Sequence, residues 1–211
     1  MALSTGTKNI KTAVFISGKG SNLKSLIKFS KHKKSPISIE IIISNNPKSK
    51  GLTLGKIYKI RKKIFNFSKQ AKTEKEILEL LKKRKINLIC LAGFMRILSK
   101  NFIQNFKGQI LNIHPSLLPK YKGLNTHERA INNKDSYSGC TVHFVTSEVD
   151  HGPIIIQATV PVLPDDTNET LAARVLLQEH RIFPEAVHLF VEGRLKISGS
   201  SVKVCNEISD N

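Results

Sequence analysis

Asn112 and His114 are the residues of this chain best arranged to do chemistry. They lie in Ile110-Leu111-Asn112-Ile113-His114-Pro115-Ser116-Leu117-Leu118-Pro119, where a short apolar strand runs into a proline-stiffened loop. Residues two apart in an extended segment project to one face, so an amide donor and a titratable imidazole are offered together. Pro115 has no N–H and keeps His114 out of the helical region, so no helix can begin there. A fixed donor beside an imidazole suits the stabilisation of developing negative charge and the movement of protons.

Three further segments could complete such a site. Asp150, in Ser147-Glu148-Val149-Asp150-His151-Gly152-Pro153, lies between two predicted strands. It either serves turn geometry or, with the loop folded back, orients and charges His114. The first predicted strand ends in Ser17-Gly18-Lys19-Gly20-Ser21-Asn22. This reads as a phosphate-binding turn at a helix N-terminus, with Ser21 and Asn22 as N-caps, or as a plain strand–helix connection. It lacks the Walker A spacing. In the run Leu91 to Leu98, Leu91, Ala92 and Ile97 read as core, while Met95 and Arg96 either join them or border a flat aromatic ligand. His127, His143, His151, His180 and His188 read as surface or satisfied core residues. None stands at metal-ligand spacing, so no metal is expected.

The elements that must position these residues alternate between strand and helix. Strands are predicted over 12–17, 37–44, 63–67, 88–92, 139–145 and 154–160, besides the one carrying Asn112. Helices are predicted over 22–29, 51–59, 74–85, 126–132 and 168–191, with a kink at Pro184. The continuous apolar run Leu88–Ala92 suits a strand buried in a parallel sheet. Repeated βα units imply one α/β domain, a Rossmann-like, doubly wound and mostly parallel sheet over 12–197, with flexible termini at 1–11 and 198–211. Ligands bind such sheets at the carboxyl ends of the strands.

Composition narrows the setting. Among 211 residues, 34 Lys and Arg against 16 Asp and Glu give +18, with little aromatic interleaving. This reads as a lysine-rich solvated surface; a basic RNA-binding module on an idle fold is the alternative, and nucleic acid is not the expected partner. Cys90, Cys140 and Cys205 form no C-x-x-C pair, which points to reduced cytoplasmic thiols. Neither a bilayer span nor a secretory signal is expected.

Five blocks in order resemble the folate-dependent phosphoribosylglycinamide formyltransferases of purine synthesis. They are residues 16–23, 91–98, 110–127, 141–157 and 174–187, and the match runs from about Ala13 to Lys196. The resemblance implies a formyltransferase-type fold and transfer of formyl from 10-formyltetrahydrofolate, a co-substrate, to the amine of phosphoribosylglycinamide, without a metal. It implies Asn112, His114 and Asp150 as catalytic residues, and Gly20, Ser21, Asn22 and Glu179 as substrate-binding. Met95, Arg96, Ile97, Leu98, Asn112, Thr146, Ser147, Glu148, Val149 and Asp150 would line the pterin pocket. Asn125 stands where the family commonly has His, and no residue of 69–75 can be assigned to the folate glutamate. The related deformylases and methionyl-tRNA formyltransferases add domains for which the chain is expected to have no room. The expected partners are small molecules, in a cytoplasmic monomer or homodimer.

Overall fold

In the computed structural model, which describes residues 9–199 and 201–205, seven strands form one sheet in the order β3-β2-β1-β4-β5-β6-β7. These are β1 (Ile10–Ile16), β2 (Ile37–Ser44), β3 (Arg61–Ile64), β4 (Leu88–Leu91), β5 (Gln109–His114), β6 (Tyr137–Phe144) and β7 (Ile154–Pro161). The first five pair in parallel, and β6 and β7 are antiparallel. The helices are α1 (Ser21–Ser30), α2 (Leu52–Ile57), α3 (Gln70–Lys83), α4 (Lys100–Asn105), α5 (Thr126–Asn132) and α6 (Asn168–Val191). The α/β class and mostly parallel sheet expected from the sequence are thus found.

The sheet divides the core in two. Val14, Ile16, Leu23, Ile42, Leu111 and Phe183 pack on one face; Ala13, Phe15, Ile43, Ile77, Ile89 and Phe102 pack on the other. Alternate residues of β1 therefore serve opposite layers, the arrangement that demands a strand apolar throughout.

Some boundaries move. Strand β3 covers 61–64 rather than 63–67 because its register is set by Ile41 to Ser44 of β2, and its side chains are exposed. Helix α4 was not expected: it has six residues, of which only Phe102 is buried, and carries no periodicity to read. The anticipated polar tail from 198 instead contains a strand that pairs with β8 (Leu195–Ser198), namely β9 (Ser201–Val204). Of the expected flexible ends, residues 1–8 and 206–211 lie outside the described residues. All three cysteines are free. Among the described residues no helix is long and apolar enough to cross a membrane.

Helix α6 continues through Pro184 as one element. A proline leaves the carbonyl four residues earlier without its helical donor. Here that carbonyl is His180's, and the Ser25 hydroxyl of α1 donates to it at 2.7 Å. A second tie joins the same helices, Asn22 Nδ2 donating to Glu179 Oε2 at 2.6 Å.

Candidate active site

Strand order reverses between β1 and β4, from which the chain departs toward opposite edges, and a crevice opens there at the carboxyl ends. A cavity of about 880 Å³ occupies this end of the sheet, within the range of small-molecule sites. Residues 95–98, Asn112 and 146–150, all expected at the pterin pocket, line it, as does His114. Ile97, read above as core from its own segment, is instead 66% exposed at this cavity, while Leu91 and Ala92 are buried as expected.

His114 ends β5, and both its ring nitrogens face acceptors. Nε2 lies 2.9 Å from the Tyr121 carbonyl, and Nδ1 lies 3.4 Å from Asp150 Oδ2. Tyr121 presents its carbonyl from a left-handed conformation, φ 54°, unusual for so bulky a residue. Its ring and hydroxyl hold it there: the Arg129 guanidinium lies over the ring at 4.8 Å, and the hydroxyl donates to Asp135 Oδ2.

Asp150 also has positive φ, 49°, which Asp tolerates better than most residues. The Gly123 N–H donates to its Oδ2 at 2.9 Å, tying the 121–125 loop to the 146–153 loop. The loop holding Asp150 returns to the sheet at Gly152, where a Cβ would fall 1.7 Å from the Phe144 carbonyl oxygen. Only glycine lets the backbone pass so close.

His143, read above as a surface or satisfied core residue, is buried but belongs to the site. It pairs with Asn112 across β5 and β6 and lines the cavity. The Phe144 carbonyl, 2.8 Å from Nδ1, can only accept, so that nitrogen carries the proton. Nε2 is then free to accept from Asn112 Nδ2, 3.1 Å away. Burial pushes the His143 pKa down, against smaller upward effects of Phe144 and Asp150, and this keeps the ring neutral and accepting. His143 thereby fixes the Asn112 amide, leaving its second N–H for the cavity. The signal was the i, i+31 pairing of two strands, which no local pattern displays.

Gly20, Ser21, Asn22 and Glu179 do not line this cavity; the Asn22–Glu179 hydrogen bond brings the start of α1 and the middle of α6 together. Gly20, not Ser21 or Asn22, is the N-cap of α1, at φ 78°. No side chain caps the helix and no acidic residue lies in its first turn, so its first N–H groups stay available. A Cβ on Gly20 would fall 2.6 Å from Gly51 Cα, so the loop seats against α2's start only with glycine there. Burial raises the Glu179 pKa, partly offset by the Asn22 hydrogen bond, and Asn22 Oδ1 is buried without a partner. Among the described residues there is no cluster of three or more His, Cys, Asp or Glu that could hold a metal ion.

An amide, an imidazole and a carboxylate against an apolar cavity at a sheet's switch point are suited to enzymatic acyl-group transfer. The model of the formyl transferase family matches residues 10–187. The chain is 45% identical over 190 residues to a phosphoribosylglycinamide formyltransferase of Haemophilus influenzae, covering 89% of this chain and 90% of that one. It is 43% identical over 201 residues to the trifunctional purine biosynthetic protein adenosine-3 of Homo sapiens, covering 94% of this chain but spanning only 20% of that protein. Among solved structures, glycinamide ribonucleotide transformylase 1 from Symbiobacterium toebii is similar at TM-score 0.92 and 38% identity, over 98% of this chain and 99% of that one. The chain belongs to the formyl transferase family.

Proposed function

We propose that the protein transfers a formyl group from 10-formyltetrahydrofolate to the amine of 5-phosphoribosylglycinamide, in purine biosynthesis, giving the N-formyl product and tetrahydrofolate. The observation that carries this reading is the grouping of Asn112, His114 and Asp150 against an apolar cavity in a formyl transferase chain. The pterin lies between residues 95–98 and 146–150. The ribonucleotide phosphate takes the free N–H groups at Gly20, Ser21 and Asn22, where the helix dipole favours an anion. Glu179 and the unpartnered Asn22 Oδ1 offer acceptors to donors of the glycinamide.

In this reaction the amine nitrogen attacks the formyl carbon, and the carbonyl electrons move onto oxygen. Asn112's second N–H and the Nδ1–H of His114 stabilise that oxyanion, each such donor worth about 3 kcal/mol. At 3.4 Å Asp150 engages Nδ1 loosely, so the ring can turn its donor toward the developing charge. The proton lost by the amine equals the one gained by the departing folate nitrogen. Asp150 and His114 carry it across, directly or through water.

The test is formyl transfer by purified protein, with and without the ribonucleotide. Tetrahydrofolate released only when ribonucleotide is present supports the proposal. Release without it would make water the acceptor, and no release would refute it.

A further inference from the structure

We propose that two serine hydroxyls set the two subsites independently: Ser17, within the glycine loop, positions the folate wall, and Ser49, outside it, positions the phosphate loop. The inference rests on the subsite assignment above and deepens it.

Ser17 follows β1 and Gly93 follows β4, so they meet at the switch point itself. The Ser17 N–H donates to the Gly93 carbonyl at 3.0 Å. Its hydroxyl accepts from the Met95 N–H at 2.7 Å and donates to Asn45 Oδ1, which uses its single donor. Met95 opens the wall that lines the cavity, and 64% of it is exposed there. Removing the hydroxyl leaves the Met95 N–H without a partner and the wall free to shift.

The phosphate loop does not depend on that hydroxyl. Its anchor is the Gly18 carbonyl, which accepts from the Ser49 hydroxyl at 2.7 Å and from the Gly51 N–H at 3.1 Å. Ser49 is buried, at 5% exposure, on the segment leading into α2. The Ser17 hydroxyl therefore holds the Met95 peptide for one ligand, and the Ser49 hydroxyl holds the Gly18 carbonyl for the other. Proximity in sequence would assign Ser17 to the phosphate; the hydrogen bonds assign it to the folate.

The crossed experiment uses Ser17→Ala and Ser49→Ala in the full chain, with tetrahydrofolate and 5-phosphoribosylglycinamide as titrated ligands. Ser17→Ala is expected to weaken tetrahydrofolate about tenfold and leave the ribonucleotide within about twofold; Ser49→Ala gives the reverse. General loss of stability cannot produce opposite preferences. Ser17→Thr, which keeps the hydroxyl, restores tetrahydrofolate affinity. Two variants that weaken both ligands alike, or neither, overturn the proposal. Amide hydrogen exchange reads the positioning without ligand: the Met95 amide exchanges at least about tenfold faster in Ser17→Ala and is unchanged in Ser49→Ala. An unchanged Met95 amide in Ser17→Ala overturns the positioning even if affinities fall. Wild-type protein that binds neither ligand overturns the subsite assignment, the exchange result still deciding what Ser17 holds.

Discussion

The work proposed for His114 depends on groups that are not side chains. The Tyr121 carbonyl and the Gly123 N–H fix His114 and Asp150, and both come from a loop with left-handed residues at 121, 123 and 125. His114→Ala is expected to lower kcat about 10²–10³-fold with an unchanged circular dichroism spectrum. Near-wild-type turnover would remove the ring from the mechanism. His143→Ala deprives Asn112 of its orienting acceptor, and kcat is expected to fall about 10–100-fold while both KM values change little. His143→Gln, which can return an acceptor, should recover part of that loss; equal defects in the two variants would refute the orienting role. The spacing of Asn112 and His114 was legible because strand periodicity is local. The meeting of Asp150 with His114 was not, since it requires two loops to close on one another. His143 was hidden in Val142-His143-Phe144, which reads as core and is core, apart from one ring nitrogen.

At the scale of elements, apolar runs made the interior strands legible, whereas β3 and α4 present too little buried surface to leave a pattern. The tie between Ser25 and the carbonyl freed by Pro184 was equally invisible, although the proline itself was plain. Ser25→Ala should cost about 1–2 kcal/mol by denaturant titration, because a partly buried acceptor loses its donor. A change below about 0.3 kcal/mol would mean that the carbonyl finds another partner.

For the molecule as a whole, acid should act in two steps. Burial lowers the pKa values of His127, His143 and His180, with smaller contributions from His114 or Lys28 nearby. The unfolded chain, with histidines near 6.5, then binds more protons, so stability is complete above about pH 6.5 and declines below it. Asp166 works lower. Paired Arg174 N–H donors hold its carboxyl well below the usual range, helped by the Leu163 N–H and Thr170 hydroxyl. Its contribution is present above about pH 4 and lost below. Melting temperatures from pH 8 to pH 3 should show both declines, with His180→Gln flattening the first and Asp166→Asn reducing the second, to which Asp135 and Glu169 also contribute. Self-repulsion of a +18 chain also grows on acidification, and the variants separate it from the site-specific effects. The lysine-rich surface was legible from composition, and part of it has a local use: Arg61, Lys62 and Lys63 on edge strand β3 discourage pairing with another sheet.

The Ser25–Pro184 tie also constrains history. A lineage that acquired the proline first would have carried a helix with a starved carbonyl, whereas one that acquired the serine first would have carried only a spare hydroxyl. The second path is the passable one. Once both are present, Pro184 can revert alone but Ser25 cannot be lost without cost until it has, so two distant positions are expected to change in a fixed order.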